Sequence, residues 1–336
     1  MKRISQQTGF SLIEVMVTLV LGLVVLASIV NLFINTKQNH AQNDRVSSVL
    51  ENGRFALRML ATDLKTVGFM GGVLDNNNIS KDGSLSLVTD CGESGETDWA
   101  YDFTTYRFMQ FLYNTNGSTA NSQFHCINSG NVVDDTDVLA IKRVYTEKET
   151  ASLSQDAVYL RSDYNSGCLW FHSTSSTSPS GSSCPTTGYE DWRYILNVYY
   201  IRNYANTAGD GIPTLCKKYL SVTTGGSPEP TMSELCLAEG VEYFHVQYGL
   251  DTDTPKDGIP NQYVSNPSEE QVSNDAILAR IYVLVRSKTE DPNFSNNKTY
   301  YMGDRTVTVN DKYYRRMYST QVVLRNPLHT TIFAGL

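Results

Sequence analysis

Four oxygen-bearing side chains crowd the stretch DTDTPKDGIPN: Asp251, Asp253, Asp257 and Asn261. Carboxylate and amide oxygens spaced ahead of a glycine turn suit a hard cation such as Ca2+. Two features oppose it. Thr254-Pro255-Lys256 separates the second acid from the third, and Lys256 brings a positive charge into the set. A solvated hairpin loop after an apolar strand accounts for the same residues, so both readings stand as expectations. The histidines, His40, His125, His172, His245 and His329, share no local spacing, and the chain has no HExxH, no GxSxG and no GK[ST] loop. His245 alternates within a strand and reads as a packed or surface side chain. No active site and no required cofactor are expected.

A different kind of chemistry sits near the N-terminus. Residues 8–30 read TGFSLIEVMVTLVLGLVVLASIV, apolar almost throughout from Phe10 onward. About 20 such residues cross a bilayer, yet Glu14 lies among the first of them. A carboxylate there costs roughly 3 kcal/mol, so something must offset it. Lys2 and Arg3 precede the run, which places the N-terminus in the cytoplasm and exports the rest. Apolar residues continue to Ile34, which makes a poor secretory cleavage site after the run. The expected cut is the Gly9–Phe10 bond, and it leaves the apolar helix on the chain.

Six cysteines, Cys91, Cys126, Cys168, Cys184, Cys216 and Cys236, form no CxxC pair, which argues against a zinc ribbon or a thioredoxin-like centre. An even count at wide spacing suits disulfides in an oxidising compartment. Neighbours are expected to pair: Cys91–Cys126, Cys168–Cys184 and Cys216–Cys236, the second closing a Ser/Thr/Gly-rich loop. Free buried thiols are the alternative. With 336 residues, 40% apolar and 18% charged, the chain can build a core and is not disordered. Its length suits about two folding units. Net charge is −8, from 35 acids and 27 bases, and no dense Lys/Arg run lies beyond the N-terminus. Direct nucleic-acid binding is therefore not expected. The 21 tyrosines favour a β-rich body. The Tyr-rich strands Tyr194–Tyr204 and Tyr313–Tyr318 read equally as sheet packing or as a binding face.

The elements that position these residues follow from periodicity. Val46, Leu50, Leu57, Leu60, Leu64 and Val67 recur at steps of three, four or seven, one stripe of a helix. The apolar helix therefore continues as an amphipathic half that packs on a sheet, over a total on the order of 85 Å. Gly53 costs it about 1 kcal/mol against Ala, and Gly68, Gly71 and Gly72 end it. Strands are expected at 85–89, 137–145, 157–161, 193–201, 215–220, 241–248, 276–288, 306–309 and 314–324. Polar loops DNNNISKDG, NTNGSTANSQ, STSSTSPSGSSCPTTG and TTGGSPEPTMSE separate them. There is no internal repeat.

The order of a short basic leader, Gly9, Phe10 and SLIEVMVTL resembles the class III signal of type IV prepilins and pseudopilins. The resemblance implies that a prepilin peptidase removes residues 1–9 and N-methylates Phe10. It also implies that Glu14, fifth after the cut, meets the new Phe10 amine of a neighbouring subunit and so sets axial register. ENGRFALRML, GIPTLCKKYL, VEYFHVQYGLDTD with DGIPNQY, and YSTQVVLRNP together resemble the PilW family of minor pilins. In that family the acidic run is often a tighter DxDxDG, from which this chain departs.

The implied fold is α+β and type IV pilin-like. It comprises a leader (1–9), a membrane-spanning helix half (10–34), an amphipathic half (35–68) and a periplasmic body of antiparallel sheet with a β-rich insertion (69–336). The implied role is a minor pilin near the pilus tip that helps start assembly, with twitching motility or adhesion downstream. Its partners would be other minor pilins, the major pilin, the peptidase, the inner-membrane assembly platform and inner-membrane lipid. A J-type pseudopilin of type II secretion, a signal-anchored adhesin and a signal-anchored periplasmic enzyme are the alternatives.

Overall fold

A computed structural model describes Gly9 and residues 11–103, 109–114, 117–150, 152–181 and 183–326. The chain divides into two compact units, Met1–Ser48 and Val49–Leu336. Helix α1, Leu12–Lys65, runs unbroken for 54 residues through that division.

In the first unit the large apolar side chains from Leu12 to Ile34 are all exposed. Three hydroxyls in and next to this stretch are satisfied within the helix. The hydroxyls of Thr18, Ser28 and Thr36 donate to the carbonyls of Val15, Val24 and Leu32 at 2.9, 2.9 and 2.8 Å. Internal satisfaction of this kind is what a hydrocarbon surrounding demands. Length and apolar composition suffice for α1 to cross a membrane.

In the second unit α1 buries Val49, Gly53, Ala56, Leu60, Asp63 and Leu64. The expected stripe is buried at Leu60, Leu64 and Val67 and is turned only in its N-terminal part. Val46 is exposed and Leu57 only partly buried, whereas Val49 and Ala56 lie inside. Small residues explain the turn. A Cβ on Gly53 would stand 2.1 Å from the ring of Tyr318, so the glycine admits the tyrosine against the helix. Beside it the Asn52 amide donates to the Glu239 carbonyl at 2.8 Å.

After Gly68, Gly71 and Gly72, all at positive φ, the body follows as strands and two short helices. These are β1 (Ile79–Lys81), β2 (Met109–Asn114), α2 (Gly117–Gln123), β3 (Thr136–Val144), β4 (Ala157–Ser162), β5 (Gly167–His172), β6 (Glu190–Arg202), β7 (Thr214–Val222) and β8 (Pro230–Glu239). Then come β9 (Val241–Leu250), β10 (Gln262–Val264), α3 (Glu269–Asn274), β11 (Ala276–Arg286), β12 (Thr299–Met302), β13 (Arg305–Thr308) and β14 (Arg315–Val323). One sheet runs β1-β5-β4-β6-β3-β2, with β7 also on β6 and β8 on β7; a second runs β10-β9-β11-β14; β12 and β13 form a separate hairpin. Apart from the parallel β1–β5 pair, the ladders are antiparallel. The long strand β6 is the hub, pairing with β4 through 190–193, with β3 through 194–199 and with β7 through 197–202.

Most expected strands form, with one correction. Residues 85–89 make no strand; Leu85 is buried as an anchor of an irregular segment. The strands β1, β2, β5, β8, β10 and β12 were not expected. Strand β8 begins at Pro230, inside a stretch that reads as loop. A proline fits the first strand position because it has no N–H to place in a ladder.

The sulfurs pair as Cys91–Cys126, Cys168–Cys184 and Cys216–Cys236. The loop closed by Cys168–Cys184 has a second tether, the buried Asp82, which accepts from the backbone of Ser84, Ser180 and Gly181 at 2.9, 2.6 and 2.9 Å. Burial alone would raise its pKa, but these donors outweigh it and hold the carboxyl well below the usual range.

Two polar contacts join the layers. On α1, buried Asp63 accepts from Arg143 at 2.7 Å, Asn197 at 2.6 Å and Tyr199 at 2.5 Å. Burial, with the charge of Asp63, raises the Tyr199 phenol well above its ordinary value and keeps it a donor. At the start of β3, Thr136 and Asp137 cross to β9. The Thr136 hydroxyl accepts from the Phe244 N–H at 3.1 Å, and Asp137 accepts from the Val246 N–H at 2.8 Å.

Two outcomes follow. Gly53→Ala gains about 1 kcal/mol of helix propensity but overpacks Tyr318 by about 1–3 kcal/mol, a net loss of up to about 2 kcal/mol, so the melting temperature falls by up to roughly 6 °C. Gly22→Ala, which faces open space, leaves it unchanged. Asp63→Ala orphans three buried donors and costs about 3–5 kcal/mol, read as a lower denaturant midpoint.

Candidate functional site

The expected functional residues fall into three places. At the N-terminus Gly9 is exposed, and Phe10 lies outside the described residues. Glu14 stands in the first turn of α1, its N–H donating to the Ser11 carbonyl at 3.0 Å. A carboxylate there faces the positive end of the helix dipole, worth about 0.3–1 kcal/mol. That is well short of the roughly 3 kcal/mol cost in hydrocarbon. Among the described residues Glu14 is exposed and has no hydrogen-bond or ion-pair partner. The chain thus presents an apolar cylinder with a single acid near its start.

The second place is the loop after β9. Buried Asp251 accepts from the N–H of Asp253 at 3.2 Å and of Gly258 at 2.7 Å. The Asn261 amide donates to Asp253 at 2.9 Å, and its oxygen accepts from Thr252. One oxygen from each of Asp251, Asp253 and Asp257 lies within 4.8 Å of the others. An all-oxygen set of three carboxylates fits a hard cation. Lys256 turns aside to Asp275 at 2.8 Å and to the Asn274 carbonyl. The charge that argues against a cation in the sequence is therefore spent elsewhere. The same hydrogen bonds also close the loop unaided.

The third place was not legible as a site. His245 is 2% exposed and engaged at both ring nitrogens. Its Nδ1 lies 2.9 Å from Asp137, and its Nε2 lies 3.0 Å from Asp304 and 3.1 Å from the Ser265 hydroxyl. The partners stand 108, 59 and 20 positions away in sequence, so no local spacing announces them. Ser265, His245 and Asp137 have the order of a hydroxyl–imidazole–carboxylate relay. Asp304 breaks it, because the Ser265 hydroxyl donates to Asp304 at 2.5 Å. A nucleophile needs its proton directed at the base, and here the Ser265 proton is directed at Asp304 instead, so the cluster ties its elements together. A cavity of about 480 Å³ adjoins it, lined by Asp135, Asp137, Tyr243, His245, Asp304 and Arg305 among others.

The remaining candidates resolve as structure. His40 pairs with Asp44 one helical turn on, at 3.0 Å. His172 hydrogen-bonds the Ser154 carbonyl at 3.1 Å and packs edge-on to Trp170. His329 lies outside the described residues. Tyr194, Tyr199 and Tyr200 are buried, and Tyr313 lies under Arg286. Tyr194, Tyr199 and Tyr200 thus serve packing, whereas Tyr204, Tyr313, Tyr314 and Tyr318 stay half-buried.

Comparison with known families agrees with this layout. Residues 198–326, from the middle of β6 to beyond β14, match the family described as Type IV Pilus-assembly protein W. Residues 4–30 match the Prokaryotic N-terminal methylation motif, which spans Gly9, Phe10 and Glu14. No curated protein and no solved structure matches the chain. A single apolar helix begins at a methylation motif and passes into a β-rich body with a PilW-like segment. Two segments of the chain are similar to type IV pilus families, residues 4–30 to the N-terminal methylation motif and residues 198–326 to the pilus-assembly protein W family.

Proposed function

We propose that the chain is a minor pilin, a structural subunit without catalytic activity, that enters the type IV pilus near its tip and helps to start assembly. One observation carries the reading: an exposed apolar helix whose lone acid, Glu14, lies within the methylation motif. After cleavage at Gly9–Phe10, the Phe10 amine is a cation at the top of the helix. Glu14 of one subunit meets that amine on its neighbour, and each offsets the cost of burying the other. A subunit docked at another height leaves both unpaired, so the pair sets axial position. Before assembly the helix rests in the inner membrane with the body in the periplasm, where three disulfides can persist. The partners are then the prepilin peptidase, the assembly platform, other minor pilins and the major pilin. The bulk of the β-rich body favours low copy over a continuous filament of this chain. A J-type pseudopilin of type II secretion uses the same physics in other machinery.

The loop of Asp251, Asp253 and Asp257 is proposed to hold Ca2+ as an accessory to stability, since its oxygens already converge.

Glu14→Ala should leave leader removal intact, as judged by immunoblot, while incorporation into sheared pili falls roughly 10- to 100-fold, the equivalent of losing about 1.5–3 kcal/mol of pairing. Wild-type incorporation would rule out the register role. Calcium should raise the melting temperature of the wild-type chain, and Asp253→Ala should abolish that rise. Identical curves with calcium and with chelator would remove the cation.

A further inference from the structure

Hairpin β12–β13 pairs with no other strand among the described residues. At its stem, the isolated bridge Asn296–Asp311 holds it through backbone bonds of 2.7 and 3.0 Å. Its tip, Gly303-Asp304, presses on β9. Gly303 has φ +68°, and a Cβ there would lie 2.1 Å from the Gln247 side chain. The tip is fastened through Asp304, which meets His245 at 3.0 Å, Ser265 at 2.5 Å and Gln247 at 3.1 Å. Tyr243, Phe244 and His245 of β9 face Met302 and Arg305 to Thr308 of the hairpin across the 480 Å³ cavity. The hairpin is one wall of that space, with its two arms bridged to each other at the stem and its tip fastened to β9.

The fastening depends on a proton. Both imidazole nitrogens of His245 face carboxylate oxygens, Asp137 on one side and Asp304 on the other. An imidazolium donates to both, whereas a neutral imidazole has one N–H and turns a lone pair towards the other acid. Asp137 also accepts from the Val246 N–H and is fully buried, while the Asp304 side chain is 52% exposed. When the proton leaves, Asp304 is the partner with water to go to.

We propose that hairpin β12–β13 is a pH-sensitive flap over this cavity, closed when His245 is an imidazolium and opened when it is neutral.

The surrounding charges agree in sign. Burial works against the imidazolium, but the hydrogen bonds and charges of Asp137, then of Asp304, outweigh it and raise the His245 pKa above its ordinary value. Burial pushes the Asp137 carboxyl up, opposed by His245 and by Arg305 of β13. Asp304 is held below the carboxylate range, because Ser265 and His245 outweigh its desolvation. From β11 the ring of Tyr282 stacks on the imidazole at 6.3 Å and brings no charge. Asp135 and Tyr243 border the cavity. A histidine raised on folding stabilises the closed state fully below its unfolded pKa of about 6.5 and loses that contribution as pH rises through the folded value. Asp304, lowered on folding, loses its contribution only as pH falls below about 4. The flap is therefore closed between these limits and opens above them.

Hydrogen exchange read by mass spectrometry tests this on the full chain in detergent, between pH 5.5 and 8.5, with rates corrected for the intrinsic dependence on pH. Protection of residues 299–308 should fall by up to about tenfold per pH unit above the histidine midpoint, while β3 to β6 stay protected. Asp304→Asn removes the charge that the lone pair opposes and should flatten the profile, with the rest of the body unchanged. His245→Gln should leave the hairpin exchanging fast at pH 5.5. A flat wild-type profile, or an unchanged step in Asp304→Asn, would overturn the proposal.

Discussion

A single buried carboxylate joins the helix to the body. Asp63 lies on the inner face of α1 and collects Arg143 from β3 with Asn197 and Tyr199 from β6. An ionised group in that position is costly unless its lone pairs are filled, and three donors fill them. The contact therefore selects one rotation and one height of the helix against the two strands at the centre of the larger sheet. The apolar neighbours Ala56, Leu60 and Leu64 supply adhesion, but adhesion alone tolerates sliding. The polar clamp supplies position.

Position matters to the proposed assembly because the same helix carries Glu14. Glu14 lies in the methylation motif at one end of α1, and Asp63 lies near the other. One acid is satisfied within the chain; the other has no partner within it among the described residues. Buried-charge logic indexes the helix on the body at Asp63, and the proposed Glu14 pairing would apply it a second time, between subunits. The apolar stretch between them holds its hydroxyls on its own carbonyls, and so it asks nothing polar of lipid or of neighbouring helices.

Sequence periodicity sufficed for the helix and for most of the β-rich body, because each is local. The turn of the buried stripe was not legible, since it depends on Gly53 admitting Tyr318, a residue far along the chain. The strands that escaped notice are short or begin in turn-forming residues. Strand β1 hides within DNNNISKDG, and β8 starts at Pro230 after a Gly/Ser/Pro run. The clusters at Asp63 and His245 escaped for a topological reason. Their members arrive from strands that chain order separates widely, and single-sequence spacing holds no record of such encounters.

The pairing of Cys216 with Cys236 joins residues that also face each other in the β7–β8 ladder. Slipping an antiparallel pair by one residue would move every side chain to the opposite face. This crosslink forbids the slip covalently, whatever the hydrophobic pattern prefers. Oxidation thereby acts as a proofreading step: a chain that has closed this bond has also committed its β7–β8 hairpin to the correct alignment.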